Sequence, residues 1–408
     1  MAATTSAPAK DKIDPQVIKT ALILITGAMA VIFDTTIVSV ALHTLAVRLN
    51  TSVSTIQWVT TGYLLALGIV VPLSTWGLRR FGGKRVWLLG PILGPLIGGA
   101  ILTHWDWRFM FWVNVPFCLL GLFLAWRFMA DDKPQATAPR AGLDLPGLAL
   151  LTPGTVAVLL GLANAGTSAG FGHPDVVAPL AIGVALLAAF TGYALRRAQP
   201  LVQVRLLAKR SVGSSAAVLF FTGFSLYGAM LLLPLYYQEV RGVTALTAGI
   251  MLVPQGAGAV LSRTVAGNLL DKVGPRIIAV LGFVVVAAAT IPFALAGAHT
   301  NEWLLALWLV IRGFGLGAVT MPVIMAGYMG LDKQEIPHSS VLTRMAQQIG
   351  GSFGTAVLAV ILASSATIHP GNLDGAFQVA FWWSAGFSAV AVLLSLWLPG
   401  KPARQPGS

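Results

Sequence analysis

Gly267-Asn-Leu-Leu-Asp-Lys-Val-Gly-Pro-Arg276 separates two apolar runs, 245–268 and 276–297. A second stretch of the same kind, Trp76-Gly-Leu-Arg-Arg-Phe-Gly-Gly-Lys-Arg85, separates 55–77 from 86–104. In each, small residues end a helix, glycine permits a sharp reversal, and cations gather within a few residues. Such cations can bond the carbonyl end of a neighbouring helix or an acidic partner. An ordinary cationic turn accounts for either copy alone. Two copies, each following the second helix of a bundle, point to the internal repeats common in secondary transporters.

Working outward, apolar runs follow one another along almost the whole chain. A helix needs about 20 apolar residues to cross the hydrocarbon core. Twelve spans are expected, at 20–45, 55–77, 86–104, 110–129, 146–165, 176–195, 212–237, 245–268, 276–297, 303–325, 341–365 and 378–398. Hydrophobic residues make up 56% of the 408 and charged residues 10%, against about a quarter charged in a soluble domain. The 44 glycines and 23 prolines lie largely within these runs, where membrane helices tolerate them. The fold class read from this is an all-α polytopic membrane protein. The first run, after Lys10, Lys12 and Lys19, is too long for a signal-peptide core and reads as a retained helix.

The net charge of +12 first suggests nucleic acid. With the N-terminus in the cytoplasm and the spans alternating, only Arg48, Arg108 and Arg241 face outside, and Arg312 lies within a span. All other Lys and Arg fall on the cytoplasmic side or at helix ends beside it, as topological anchors do. That disposes of nucleic acid as a partner and places both termini in the cytoplasm. Trp105, Trp107, Trp303 and Trp382 fit an interfacial belt. Lone Cys118 gives no disulfide framework. No Gly-x-x-x-x-Gly-Lys-Ser/Thr stretch and no His-Glu-x-x-His pattern occurs, and the glycines at 313–317 lie mid-span, outside any dinucleotide fold. No enzyme activity, metal or cofactor is expected.

Three further patterns bear on chemistry. Gly90, Pro91, Gly94, Pro95, Gly98 and Gly99 lie in the third span, where small residues let backbones approach and prolines bend the helix. Asp34 alone among the acids falls well inside a span, roughly 20 Å along it at ~1.5 Å per residue. A carboxylate there is costly, so it favours the protonated form and can exchange protons with one side at a time; the plain alternative is a bond to a neighbouring helix. Arg312 is the matching intramembrane cation, either coupled to a proton site or bonded to backbone carbonyls beside its glycines.

On Phe33-Asp-Thr-Thr-Ile-Val-Ser-Val-Ala-Leu42, the two loops, the Gly-Pro helix, Trp107-Arg-Phe-Met-Phe-Trp-Val-Asn-Val-Pro116 and Gln347-Gln-Ile-Gly-Gly351, the chain resembles the fourteen-helix drug:proton antiporters (EmrB/QacA type) of the major facilitator superfamily. The resemblance covers nearly the whole chain. It implies two helical bundles joined by two extra helices, with alternating access around a central cavity. The domains would be a cytoplasmic tail 1–19, an N-terminal bundle 20–130, the linker with two extra helices 131–210, a six-helix C-terminal bundle 211–398 and a tail 399–408. It further implies proton-coupled efflux of small hydrophobic or cationic drugs or metabolites from the inner (cytoplasmic) membrane. Partners would be the lipid bilayer, protons, the substrate and a periplasmic adaptor protein. Proton coupling would rest on Asp34 and Arg312. The cytoplasmic gating loops would use Arg79, Arg80, Gly82, Lys84, Arg85, Gly267, Asp271, Gly274 and Arg276. Trp58, Tyr63, Phe224, Tyr227, Met230, Tyr236 and Gln255 lie on helices that face the pathway in this family, with lipid contact or helix packing as each one's alternative.

The chain departs from that pattern. From Arg276 to Gly351 is 75 residues, whereas from Arg85 to Gly99 is 14. The difference, 61, equals about two spans with their linker at ~20 residues each. The N-terminal bundle therefore lacks about two helices, and 86–104 reads as a fusion of their neighbours. The cavity arginine that the family carries on the missing fourth helix has no match, and Arg79 stands where the family loop often has aspartate. A remnant that no longer transports, acting through membrane partners, is the competing expectation.

Overall fold

The structure, a computed structural model, describes residues 144–401 apart from 168–169, 198–199, 333 and 369–371, together with 119, 123, 126 and 127. Asp34, Trp58, Tyr63, the loop residues Arg79, Arg80, Gly82, Lys84 and Arg85, and the packing residues Gly90, Pro91, Gly94, Pro95, Gly98 and Gly99 lie outside the described residues.

Eight α-helices follow in order among the described residues. They are α1 (Leu145–Thr167), α2 (Pro174–Arg196), α3 (Arg210–Leu235), α4 (Ala245–Val273), α5 (Pro275–Ala294), α6 (Glu302–Ala326), α7 (Ile336–Ile368) and α8 (Leu373–Ser395). A short 3₁₀ turn at Val204–Ala208 precedes α3, and a π turn at Tyr236–Val240 continues it. Seven spans among the described residues are long and apolar enough to cross a membrane, and none of the described residues forms a strand.

The ends of these helices follow from local chemistry. Thr244, Asn301 and Asn372 cap α4, α6 and α8, accepting from the backbone N–H of Thr247, Trp303 and Gly375 at 3.3, 2.9 and 2.9 Å. Side-chain oxygens at this position satisfy donors that the first helical turn leaves unpaired. Pro174 and Pro275 open α2 and α5, where a missing N–H is harmless. Between α4 and α5 the reversal takes a single residue, Gly274 at φ +82°, a conformation open to glycine.

Helices α1 and α2 pack on each other, and α1 also packs on α7. Leu151 and Phe190 meet Val341 and Met345 near one end, and Val158 and Leu162 meet Ala356 further along. Asp144 ties the base of this pair together. Buried at 6% exposure, it accepts from Tyr193 Oη at 2.6 Å, Leu201 N at 3.0 Å and Gly147 N at 3.2 Å.

The other six helices centre on two crossings of the same design. On α3 and α7, a Cβ at Gly223 would collide with the Gln347 carbonyl, and one at Gly350 with the Phe220 carbonyl. On α4 and α6, a Cβ at Gly313 would collide with the Gln255 carbonyl, and one at Gly258 with the Val310 carbonyl. Along α3, Phe220, Phe224 and Gly228 meet Gly350, Gly354 and Leu358 in turn, and along α4, Gln255 and Ala259 meet Gly313 and Gly317, so both pairs are parallel. The first helix of one triplet pairs with the second of the other in each case, the arrangement an inverted three-helix repeat produces. Helix α5 joins α6 through Gly282 and Gly315 and packs on α8.

Large apolar side chains cover the outside, with Trp303, Leu393 and Val253 exposed at 85%, 67% and 64%. In water such a surface would be unstable; in a bilayer it is the lipid-facing side. Trp303 opens α6 at a helix end, as an interfacial residue should, but Trp382 stands nine residues into α8 because that helix begins at Leu373 rather than 378.

Candidate functional site

The stretch Arg312-Gly313-Phe314-Gly315-Leu316-Gly317 builds the centre of the bundle. Gly313 and Gly317 let α6 meet α4 backbone to backbone, and Gly315 does the same toward α5. With its neighbours reduced to hydrogen atoms, α6 sits close enough to three helices for one side chain to bond all of them. Arg312, 2% exposed, is that side chain. Its Nε donates to Thr290 Oγ1 of α5 at 3.2 Å, and its Nη1 to Gln255 Oε1 of α4 at 3.3 Å. Its Nη2 donates to the Ser225 carbonyl of α3 at 2.9 Å and to Ser225 Oγ at 3.2 Å. The planar fork of five donors suits this task, since a lysine ammonium offers a single point. No ion pair with Arg312 occurs among the described residues, so a full positive charge sits mid-span on neutral oxygens. The backbone carbonyl it bonds, that of Ser225, lies on α3 and not beside the glycines of α6; the sequence signal for Ser225 and Thr290 is a hydroxyl or open carbonyl at matching depth on a neighbouring span.

The residues expected to face the pathway separate into two groups. Phe224 and Tyr236 are fully buried. Phe224 stacks 4.2 Å from Phe387 and contacts Phe353, while Tyr236 lies among Tyr237, Phe377 and Phe381 and donates to the Gly297 carbonyl at 3.0 Å. Both fill space between helices here. Tyr227, Met230 and Gln255 remain partly exposed. Tyr227 packs its ring on Gly351 of α7, and Gln255 holds Arg312.

At the opposite end from Tyr236, the loop residues act as fasteners. Gly267 is helical with open space where a Cβ would go, and Asp271 is described by its backbone alone, within α4. Arg276 Nε donates to the Leu398 carbonyl at 2.7 Å, just past the end of α8, and Arg210 Nε donates to the Trp397 carbonyl at 3.1 Å. Lys401 Nζ in turn donates to the Lys272 carbonyl at 3.0 Å. Cations at a carbonyl end satisfy acceptors the last turn leaves open. At the same end Lys209 Nζ lies 2.8 Å from both oxygens of Glu335, joining the start of α3 to the start of α7. The Lys209 ammonium holds the Glu335 carboxyl below the usual carboxylate range, helped by the Asp332 N–H.

Apolar helices crossing through glycine, with a buried cation pinning four of them together, define a polytopic membrane protein of the transporter class. The Major Facilitator Superfamily profile matches residues 86–355, more than half of the sequence. The chain belongs to the major facilitator superfamily.

Among its relatives, the "Multidrug resistance protein B homolog" of Mycobacterium tuberculosis is 29% identical over 420 aligned residues, covering 86% of this chain and 77% of the relative. The "Lincomycin resistance protein LmrB" of Bacillus subtilis is 26% identical over 81% of this chain and 82% of its own length. The "Tetracenomycin C resistance and export protein" of Streptomyces glaucescens is 24% identical over 85% of this chain and 76% of its own. A solved structure of a bacterial homolog of the human lysosomal transporter Spinster, inward-facing and occupied, superposes with a TM-score of 0.54 at 15% identity. It covers 94% of this chain and 97% of that one, a likeness of fold alone.

Proposed function

We propose that the chain is a secondary active exporter of small hydrophobic or cationic drugs or metabolites, driven by inward proton flow across the inner membrane. Similarity over most of the chain to relatives named for multidrug, lincomycin and tetracenomycin C resistance carries this reading. Asp34 is the proton-accepting site, and Arg312 is the fixed charge that couples it to helix movement. A proton descending a 100 mV potential releases about 2.3 kcal/mol, enough to bias an exchange cycle. The loop 79–85 and the loop ending at Arg276 form the cytoplasmic gate. Trp58, Tyr63, Tyr227, Met230 and Gln255 line the substrate pathway, with Phe224 and Tyr236 joining it in other conformations. Partly apolar aromatic and methionine surfaces suit delocalised cations. A periplasmic adaptor is a further partner in this reading.

The subtype is the fourteen-helix drug:proton antiporter with about two N-terminal helices missing. The first relative's alignment supports it: 86% of 408 residues is about 351, so about 69 of the 420 aligned positions face gaps in this chain. That shortfall, with the 61 residues absent between Arg85 and Gly99, also favours a second reading, a remnant that inserts but does not transport. Ethidium efflux separates the two, measured in cells lacking their main exporters at matched membrane levels of wild type and Asp34→Asn. Efflux abolished by a protonophore and by Asp34→Asn is the expected result. No efflux from well-inserted wild type, beside an active full-length relative, would overturn the exporter reading.

A further inference from the structure

Arg344 reads from the sequence as one more cation beside a helix end. The structure moves it inward, because α7 begins at Ile336 and Arg344 lies eight residues along, about 12 Å at ~1.5 Å per residue. Its Nη1 donates to Gln347 Oε1 at 3.2 Å. Gln347 is the residue whose carbonyl abuts Gly223, thirteen residues into α3. The guanidinium therefore sits deep along the bundle, well past the end where Lys209 meets Glu335. Unlike Arg312, Arg344 is exposed. Its one hydrogen-bond partner among the described residues is that neutral amide, and no described carboxylate pairs with it.

A stripe of polar side chains continues from it. At 100° per residue, Val341, Met345, Ile349 and Ala356 face α1, while Gln347, Gly350, Gly351 and Gly354 face α3. Arg344 and Gln348 fall in the wedge between those faces, and Ser352, one turn further, lies where that wedge passes onto the α1 side, between Val341 and Met345. Gln348 and Ser352 are 5% and 4% exposed, yet Gln348 Oε1 and Ser352 Oγ have no hydrogen-bond partner among the described residues. Buried polar atoms are nearly always paired, since an unmade bond costs about 1–3 kcal/mol. Tyr227, packed on Gly351 across the α3 face, carries its phenol within electrostatic reach of the Arg344 charge.

We infer that Arg344, Gln348 and Ser352 form a binding track for amphipathic acids, in which Arg344 takes a carboxylate, sulfonate or phosphate. Gln348 Oε1 and Ser352 Oγ then meet hydroxyl or amine groups of the same molecule, about 6 and 12 Å further along α7. The apolar remainder lies against Met345 and Tyr227. This extends the exporter reading, on which it rests, from hydrophobic cations to a second class of solute. It also gives two arginine–glutamine pairs different duties: Arg312–Gln255 is sealed by protein, and Arg344–Gln347 is open to a ligand.

Fluorescein, which carries a carboxylate and phenolic hydroxyls, is the probe. Its anisotropy is measured on the purified full chain in phosphatidylcholine nanodiscs, beside ethidium. Arg344→Gln should weaken fluorescein binding about tenfold or more, the range of a charged hydrogen bond, and leave ethidium unchanged. Arg344→Lys should keep most of the affinity, and Gln348→Leu should lose about threefold. Competition by phosphatidylglycerol in wild type but not in Arg344→Gln supports the site and names the lipid headgroup as its anion. Fluorescein bound equally by wild type and Arg344→Gln, or by neither, overturns the proposal, as does a parallel loss of ethidium. Ethidium efflux from cells, run on the same variants, isolates the exporter reading: it fails if wild type binds probes but moves none.

Discussion

Among the described residues Arg312 donates only to neutral oxygens, and its cost and use follow from that. Taking an ion out of water costs several kcal/mol even after relaxation, so every donor must be matched, and Ser225, Gln255 and Thr290 supply the match from three other helices. Arg312→Lys keeps the charge but cannot span those acceptors; it should lower stability by about 2 kcal/mol, the cost of an unpaired buried group, read as thermal unfolding in detergent. Because the partners act together, Arg312→Met combined with Gln255→Leu should cost less than the sum of the two, with a coupling of about 0.5–3 kcal/mol. Strict additivity would mean that the 3.3 Å contact contributes nothing. That a lone intramembrane arginine had to be held by something was legible in the sequence. Which oxygens hold it was not, because residues 225, 255, 290 and 312 converge only after four helices have packed.

At the scale of the helices, glycine decides which pairs touch. Gly313→Val should be severely destabilising, since a Cβ there meets the Gln255 backbone, which has no rotamer to turn away. Gly386→Ala, also in a helix but with nothing within 4 Å of the added carbon, should stabilise by about 0.5–1 kcal/mol through helix propensity. Comparable unfolding midpoints for the two variants would refute the crossing. Among the described residues the sequence marked the spans well, because apolar runs need no partner to be recognised; the expected spans 20–45, 55–77, 86–104 and 110–129 lie outside them, apart from residues 119, 123, 126 and 127. The sequence placed the starts of α7 and α8 five residues late, since 336–340 and 373–377 are short polar-edged turns before the apolar run begins. Phe224 and Tyr236 show a second limit: an aromatic on a pathway-facing helix and one packed between helices share the same sequence signature.

At the scale of the molecule, fastening among the described residues is uneven. One end is laced by exchangeable polar contacts: Lys209 to Glu335, and Arg210 and Arg276 to the carbonyls after α8. The Glu335 carboxyl is held below its usual range by Lys209, so its contribution is complete at neutral pH and is lost as pH falls through the lowered value. Glu335→Gln should therefore lower neutral stability to the level the wild type reaches once this carboxyl is protonated, flatten the acid side of the profile below about pH 5, and reduce the sensitivity to salt that an exposed pair confers. An unchanged acid limb would remove Glu335 from the account. The middle is built otherwise. Each of the pairs α3–α7 and α4–α6 touches backbone to backbone, with no side chain between to swing aside or be replaced by water. Two such stiff struts, joined by the Arg312 guanidinium and by the apolar core that Val218, Phe283 and Val319 share, make a braced frame: a load applied to one strut passes to the other instead of being absorbed within either.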